Sequence, residues 1–361
     1  MPYRPLEGDI SVIRFATTAV LVMVMAMVVT AVGAQDTPIP FGATIEVKRI
    51  LTEVRVVDDA GYPIVDLGPE DFRIKISGKR AEVESVTWIP TTSEAAALVA
   101  TPQDRVIPSG ALLTESKPRL IVVLFQTDIN LYRIKGVVRM APQAADFVRN
   151  LAPTDRVAFL TFESHLELRS DFTTDHEALA KMITTTEILD GKIDSPEPSS
   201  PLLAQYLDMD EAHNASTMTS ALELIARALI PLPGPKTLVL FGWGVGRYNR
   251  GHRITTPGVT NAIAALATAR TSVFSLDITT ADWHTLEIGL RKLSEDTGGI
   301  YLKTHLFPDT AMDKLVRVIS SYYELSILPP PKLKHPYLID VKVRRHGARV
   351  YVRQNHPTGR R

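Results

Sequence analysis

Few stretches of this 361-residue chain carry residue types and spacings that could do chemistry. Asp210-Glu211-Ala212-His213 has the letters of a helicase box. Such a box works only beside a phosphate-cradling G-x-x-x-x-G-K-[ST] loop that opens a helix, and the chain has none. Gly234-Pro235-Lys236-Thr237 runs into an apolar strand instead of a helix. Gly242-Trp243-Gly244-Val245-Gly246 follows a strand, but it lacks the spacing and the acidic partner of a dinucleotide loop. Arg345-His346-Gly347-Ala348-Arg349 has the letters of a phosphatase R-H-G-x-R, yet it stands at a turn near the C-terminus. There is no G-x-S-x-G elbow and no H-E-x-x-H helix. The 9 histidines are scattered, none paired at i, i+4, and there is no cysteine. Thiolate catalysis, disulfides, zinc knuckles and iron–sulfur clusters are therefore excluded. The expectation is a protein without enzymatic activity; a hydrolase would need a nucleophile–base pair that the sequence does not display.

Charge and composition narrow the partners. Lys+Arg 40 balance Asp+Glu 40, giving a formal net charge of zero, and hydrophobic residues make up 45% of the chain. A neutral globular chain lacks the basic footprint of a nucleic-acid binder. The N-terminus reads as an address. Arg4 and Arg14 precede Phe15–Ala34, an uncharged run that closes on Val32-Gly33-Ala34. A basic start, an apolar core and small residues at −3 and −1 describe a secretory signal peptide over residues 1–34. The alternative is an uncleaved membrane anchor, in which case that segment is the chain's contact with a membrane. Either way the folded part is exported, to the periplasm or beyond.

The elements that must position any site read as β, then α/β, then β. Over residues 44–90, Val54 and Val56 alternate with Glu53 and Arg55, and Phe72, Ile74 and Ile76 with Arg73 and Lys75. Residues 91–117 read as a linker. From residue 118 the pattern changes to continuous apolar runs, Leu120–Phe125, Val157–Phe162 and Thr237–Phe241, the mark of strands buried on both faces of a parallel sheet. Between them, apolar residues recur at helical spacing, as in Ala144, Phe147, Val148 and Leu151. The fold class expected over 118–324 is a doubly wound α/β sheet, mostly parallel, with Leu166–Phe172 as an edge strand. Residues 325–354 return to alternation and predict a hairpin that packs with the N-terminal β segment, leaving the α/β domain inserted between them. Residues 187–216, rich in proline and acids, read as a long loop beside the site, either a lid or a partner-specific loop.

This order of elements resembles the von Willebrand factor A-related exported proteins of the acidobacterial type. The matching residues are Asp58, Gly61, Pro63, Val65, Leu67, Asp71 and Phe72, then Asp155-Arg156-Val157-Ala158, Pro235–Phe241, Leu293–Gly299 and Tyr322–Leu325. The resemblance implies a Rossmann-like domain used for protein binding, often through Mg or Mn at a metal-ion-dependent adhesion site. That site's pattern is D-x-S-x-S after the first core strand, a Thr before a later helix, and an Asp after a further strand. Here Gln126 stands at the first Asp position, Asp128 and Asn130 at the two Ser positions, Thr219 at the Thr, and Trp243 at the second Asp. Two carboxylates are lost, and hard divalent cations depend on them.

Two states of this site stay open: a rewired one holding a divalent cation on Asp128, Asn130 and Thr219, and a degenerate one without metal, in which Asp128 and Asn130 cap the next helix. In both, the carboxyl ends of the strands are the expected binding edge. Gln126, Asp128, Trp243 and Arg247 would meet another protein there, with Trp243 either an exposed anchor or packed under its own loop.

Overall fold

The computed structural model describes residues 49–100, 118–128, 130–184, 195–246 and 257–356. The expected signal segment 1–34 lies outside them. Among the described residues, no helix is long and apolar enough to cross a membrane.

Two sheets carry the described residues. The first is antiparallel and draws on both ends of the described chain: β1 (Ile50–Val57), β2 (Phe72–Ile76), β3 (Lys79–Pro90), β10 (Ser321–Leu328), β11 (Tyr337–Val343), β12 (Arg349–Val352) and β13 (Asn355–His356). Their order is β12-β1-β10-β3-β2-β11-β13. The inward residues named by the alternation, Val54, Val56, Ile74 and Ile76, join Trp88, Tyr323, Leu325 and Ile327 in its core. Ser77 and Gly78 both take positive φ, 47° and 80°, the backbone that a two-residue hairpin turn demands.

The expected hairpin over 325–354 is not formed. Strand β11 pairs with β2, matching Val341 to Ile74, while β12 pairs with β1, matching Val352 to Val54. Two residues later β13 pairs with β11, and Ile339 N–H donates to Gln354 O at 2.9 Å. The last stretch thus bridges the two ends of the sheet and curls it closed. A local hairpin would have left the outer edge of β1 unpaired, and closure satisfies that edge. Strand β10 begins at Ser321, so Ser321–Glu324, expected in the α/β part, belong to this sheet.

The second sheet has the order β6-β5-β4-β7-β8-β9. Its strands are β4 (Leu120–Gln126), β5 (Arg156–Phe162), β6 (Leu166–Thr173), β7 (Lys236–Gly242), β8 (Thr271–Asp277) and β9 (Tyr301–Lys303), parallel except for the edge strand β6. Alternate residues of each apolar run serve opposite faces. Leu120, Val122 and Leu124 pack against α5 (Met218–Leu229) and α6 (Pro257–Thr268). Ile121, Val123 and Phe125 pack against α2 (Leu131–Arg149), α3 (His176–Thr184) and α8 (Pro308–Ile319). Phe125 stacks on Phe241 with ring centroids 4.5 Å apart, locking β4 to β7 beside the site.

Buried ion pairing holds the opposite end of this sheet. Arg119 Nε donates to Asp155 Oδ1 at 2.9 Å, with a second contact from its terminal nitrogen to Oδ2. The same guanidinium donates to Thr91 Oγ1 at 2.9 Å and Ile319 O at 3.2 Å, tying the start of β4 to the end of β3.

Two expected loops are ordered differently. Within the linker, Ser93–Ala100 forms α1, entered through Thr92, whose hydroxyl accepts from Ala95 N–H; the alanine-rich SEAAALVA favours helix. The described part of the acidic loop packs along β6 and is no lid. Asp171 accepts from the N–H groups of Leu203 and Ala204, Leu203 and Leu207 are buried, and Met209–Asn214 forms α4 behind the cap Asp208. Covering β6 removes an exposed sheet edge, which explains why the proline-rich segment lies down.

Candidate functional site at the carboxyl ends of the parallel strands

Strands β4, β7 and β8 are in parallel register, so their last residues, Gln126, Gly242 and Asp277, lie together at one edge of the sheet. Gln126 is buried, and its Oε1 accepts two backbone donors, Trp243 N–H at 3.0 Å and Gly244 N–H at 3.2 Å. Its acceptor therefore clamps the loop after β7. An Asp at this position would have a carboxylate to offer a cation; this amide has already used its oxygen.

Asp128 is engaged as well. Its Oδ1 accepts from Asn130 N–H at 2.8 Å, and its Oδ2 is ion-paired with Arg133 on the first turn of α2. Partial burial pushes the Asp128 carboxyl up, but the Asn130 N–H and the Arg133 charge outweigh it and hold the group below its ordinary value. The Arg133 guanidinium also lies over the Trp243 ring, 3.5 Å from its centroid, in cation–π geometry. Asp128, Arg133 and Trp243 thus form one stack, pinned below by Gln126. Trp243 is half-buried and packs on the core beneath β7, nearer the packed position than the exposed one of the two expected for it.

Asn130 starts α2: its carbonyl accepts from Arg133 N–H and Ile134 N–H, both at 2.9 Å. Thr219 lies on the first turn of α5 behind the cap Thr217, its hydroxyl 3.1 Å from Thr217 Oγ1. A Cβ at Gly258 would come within 3.0 Å of that hydroxyl, so Thr219 faces the close approach of α6. Arg247 lies outside the described residues.

The same edge carries a second cluster, at the end of β8 and the start of α7 (Glu287–Thr297). Asp277, His284 and Glu287 each present a ligand-type atom within 4.8 Å of the others. His284 Nε2 is 2.8 Å from Asp277 Oδ2, Tyr301 OH donates to that oxygen at 2.6 Å, and Thr279 donates to Oδ1 through N–H and hydroxyl. Burial raises the Asp277 carboxyl, yet the bonds from His284, Tyr301 and Thr279 hold it below its ordinary value. Burial and the Asp277 charge push the Tyr301 phenol upward.

The clusters are packed together. Ile278 N–H donates to Gly242 O at 3.0 Å. A Cβ at Gly289 of α7 would stand 2.0 Å from Val245 O, so only glycine lets α7 approach the Trp243 loop. Around the second cluster, Trp283, Leu306 and Phe307 are 66%, 66% and 68% exposed. Lys303 and His305 on the β9 side contact Asp282, holding these two loops side by side.

Sequence reasoning missed Arg133, the Asp277 cluster and the Trp283–Phe307 rim. A readable signal existed for part of it: Asp277 ends an apolar strand, and His284-x-x-Glu287 follows at helical spacing.

No family model matches the chain, and no curated protein matches it. Among solved structures, an aerotolerance-related membrane protein from Bacteroides fragilis, carrying multiple mutations to serines, is 12% identical over 56% of this chain and 98% of its own, with a TM-score of 0.38. The conserved hypothetical protein BatB from Bacteroides thetaiotaomicron is 13% identical over 51% of this chain and 89% of its own, with a TM-score of 0.34. Proximal thread matrix protein 1 from the mussel byssus, with a zinc-occupied MIDAS motif, is 11% identical over 59% and 48%, with a TM-score of 0.36.

Proposed function

We propose that this chain is an exported, non-enzymatic protein-binding module. In this reading an α/β domain of von Willebrand factor A type is inserted between β segments, and its adhesion site has lost metal dependence. The observation that carries the reading is the Asp128–Arg133–Trp243 stack. Arg133 supplies the positive charge that Mg or Mn would otherwise bring to Asp128, and Gln126 spends its oxygen on the Trp243 loop. At this edge Trp283, Leu306 and Phe307 stand in solvent beside these loops. A few large aromatic side chains surrounded by polar groups supply most of the binding energy in many protein interfaces.

The test is partner capture from envelope extracts by the mature chain, quantified against the Trp283→Ser/Phe307→Ser variant. Both residues are exposed, so folding is retained. Loss of two anchors weakens capture at least about tenfold. Undiminished capture by the double variant would refute this edge as the interface.

A further inference from the structure

We infer that Asp277, His284 and Glu287 form a binding site for a divalent transition-metal ion of the zinc class, separate from the Asp128 position. Three observations converge. First, an imidazole and two carboxylates from the end of β8, the following loop and the first turn of α7 bring their donor atoms within 4.8 Å of one another. A tetrahedral ion with bonds of about 2.0–2.1 Å sets its ligands roughly 3.3 Å apart, so the cluster closes on an ion by small side-chain movements. The His284–Asp277 contact of 2.8 Å opens by about half an ångström in doing so.

Second, Glu287 is 5% exposed, and its Oε2 is buried without a hydrogen-bond donor. Its neighbour is the ammonium of Lys303 at 2.9 Å, on a side chain 38% exposed that also contacts Asp282 O. A buried carboxylate is costly without a cation beside it, a place that Lys303 holds here and that a metal ion would take with shorter bonds. Third, the shell behind the ligands is built to orient them. Tyr301 and Thr279 fix the Asp277 carboxylate from both sides, and the Arg291 guanidinium lies over the Tyr301 ring at 4.6 Å. Outer partners of this kind hold ligating groups in place in metal sites.

The donor set selects the ion. Mg and Ca prefer all-oxygen shells, whereas imidazole nitrogen together with carboxylates suits zinc and its transition-metal neighbours. Three protein ligands leave a fourth position open for water or for a carboxylate from a docking partner. On binding, the ion replaces the proton shared by His284 and Asp277, and Lys303 is displaced. Lys303 is therefore a built-in competitor for the site.

The experiment uses the full chain stripped of metal by chelation and dialysis. Zn2+ is titrated calorimetrically, and Co2+ is added as a visible-absorbing probe of tetrahedral geometry. The expected result is one Zn2+ per chain and Co2+ bands of tetrahedral type. His284→Gln and Glu287→Gln each weaken binding at least about tenfold. Lys303→Met tightens it severalfold, an effect that a purely structural ion-pair network does not produce. Asp128→Ala leaves Zn2+ affinity unchanged, which separates this site from the one discussed under the proposed function. Absence of saturable Zn2+ binding, or binding indifferent to both His284→Gln and Glu287→Gln, overturns the assignment.

Discussion

Removing Arg133 is the perturbation that most directly probes the edge at the carboxyl ends of β4 and β7. Its guanidinium makes two contacts whose worth can be set from their surroundings. The pair with Asp128 is partly solvated, with the side chains 39% and 21% exposed, so screening limits it to about 0.5–1 kcal/mol. The stack on Trp243 is 3.5 Å from the ring centroid over a half-buried indole, which places it at about 1 kcal/mol. Arg133→Met keeps an aliphatic stem and loses both, for a cost of about 1.5–2 kcal/mol. A double-mutant cycle of Arg133→Met with Trp243→Leu isolates the stacking term. Urea unfolding followed by far-ultraviolet circular dichroism is the assay, since fluorescence would be confounded by losing a tryptophan. The expected coupling is about 1 kcal/mol. Additivity within about 0.3 kcal/mol would refute the stack as an energetic unit, and with it the claim that Arg133 is the cation of this edge.

Other consequences follow from groups far from the edge. Asp155→Ala strands a guanidinium that is 10% exposed and frees the N–H of Ala152, so destabilisation of about 3–5 kcal/mol is expected in the same denaturation assay; a loss under about 1 kcal/mol would contradict a buried pair. Lys236 at the start of β7 is buried, and desolvation, reinforced by Arg270, lowers its ammonium to about 8. The unfolded chain then binds more protons between pH 8 and the ordinary lysine value. Stability therefore climbs with pH from about 8 towards 10, and the penalty is fully present below 8. Lys236→Met flattens that rise and raises the unfolding midpoint at pH 7; an unchanged slope would show that Lys236 is not its source. Export predicts that the chain recovered from the envelope begins at Gln35 on N-terminal sequencing; an intact Met1 in the membrane fraction would point to an anchor instead.

The parallel sheet is legible in the sequence because its strands are buried on both faces, so runs such as Leu120–Phe125 need no polar alternation. The N-terminal strands are legible for the opposite reason, one face of Phe72–Ile76 being buried and the other exposed. The destination of the last strands is not legible. Alternation tells which face of β12 is buried but not which edge it joins, and the free edges of β1 and β11 exist only once the sheet has formed. Likewise Pro196, Pro198 and Pro201 suggest a loop, whereas its seat along β6 depends on Asp171 meeting the N–H groups of Leu203 and Ala204.

At the edge, Gln126 and Trp243 can be read from the sequence, but what they contact cannot. Gln126 becomes a clamp only when the Trp243 loop folds over it. Arg133 becomes a cation partner only when α2 points it back across Asp128. Asp277, His284 and Glu287 come from a strand end, a loop and a helix start, and only the packing of α7 against the Val245 carbonyl gathers them.

The central claim, that this edge docks a protein through its apolar rim, is tested most directly by site-specific photo-crosslinking in the cells that produce the chain. A benzophenone amino acid is placed at position 283 or 307, and at position 233 before β7, on the opposite end of the sheet, as the control. The account predicts a discrete crosslinked protein partner from positions 283 and 307 and none from 233. Crosslinks arising equally from 233, or absent from both rim positions, would contradict it.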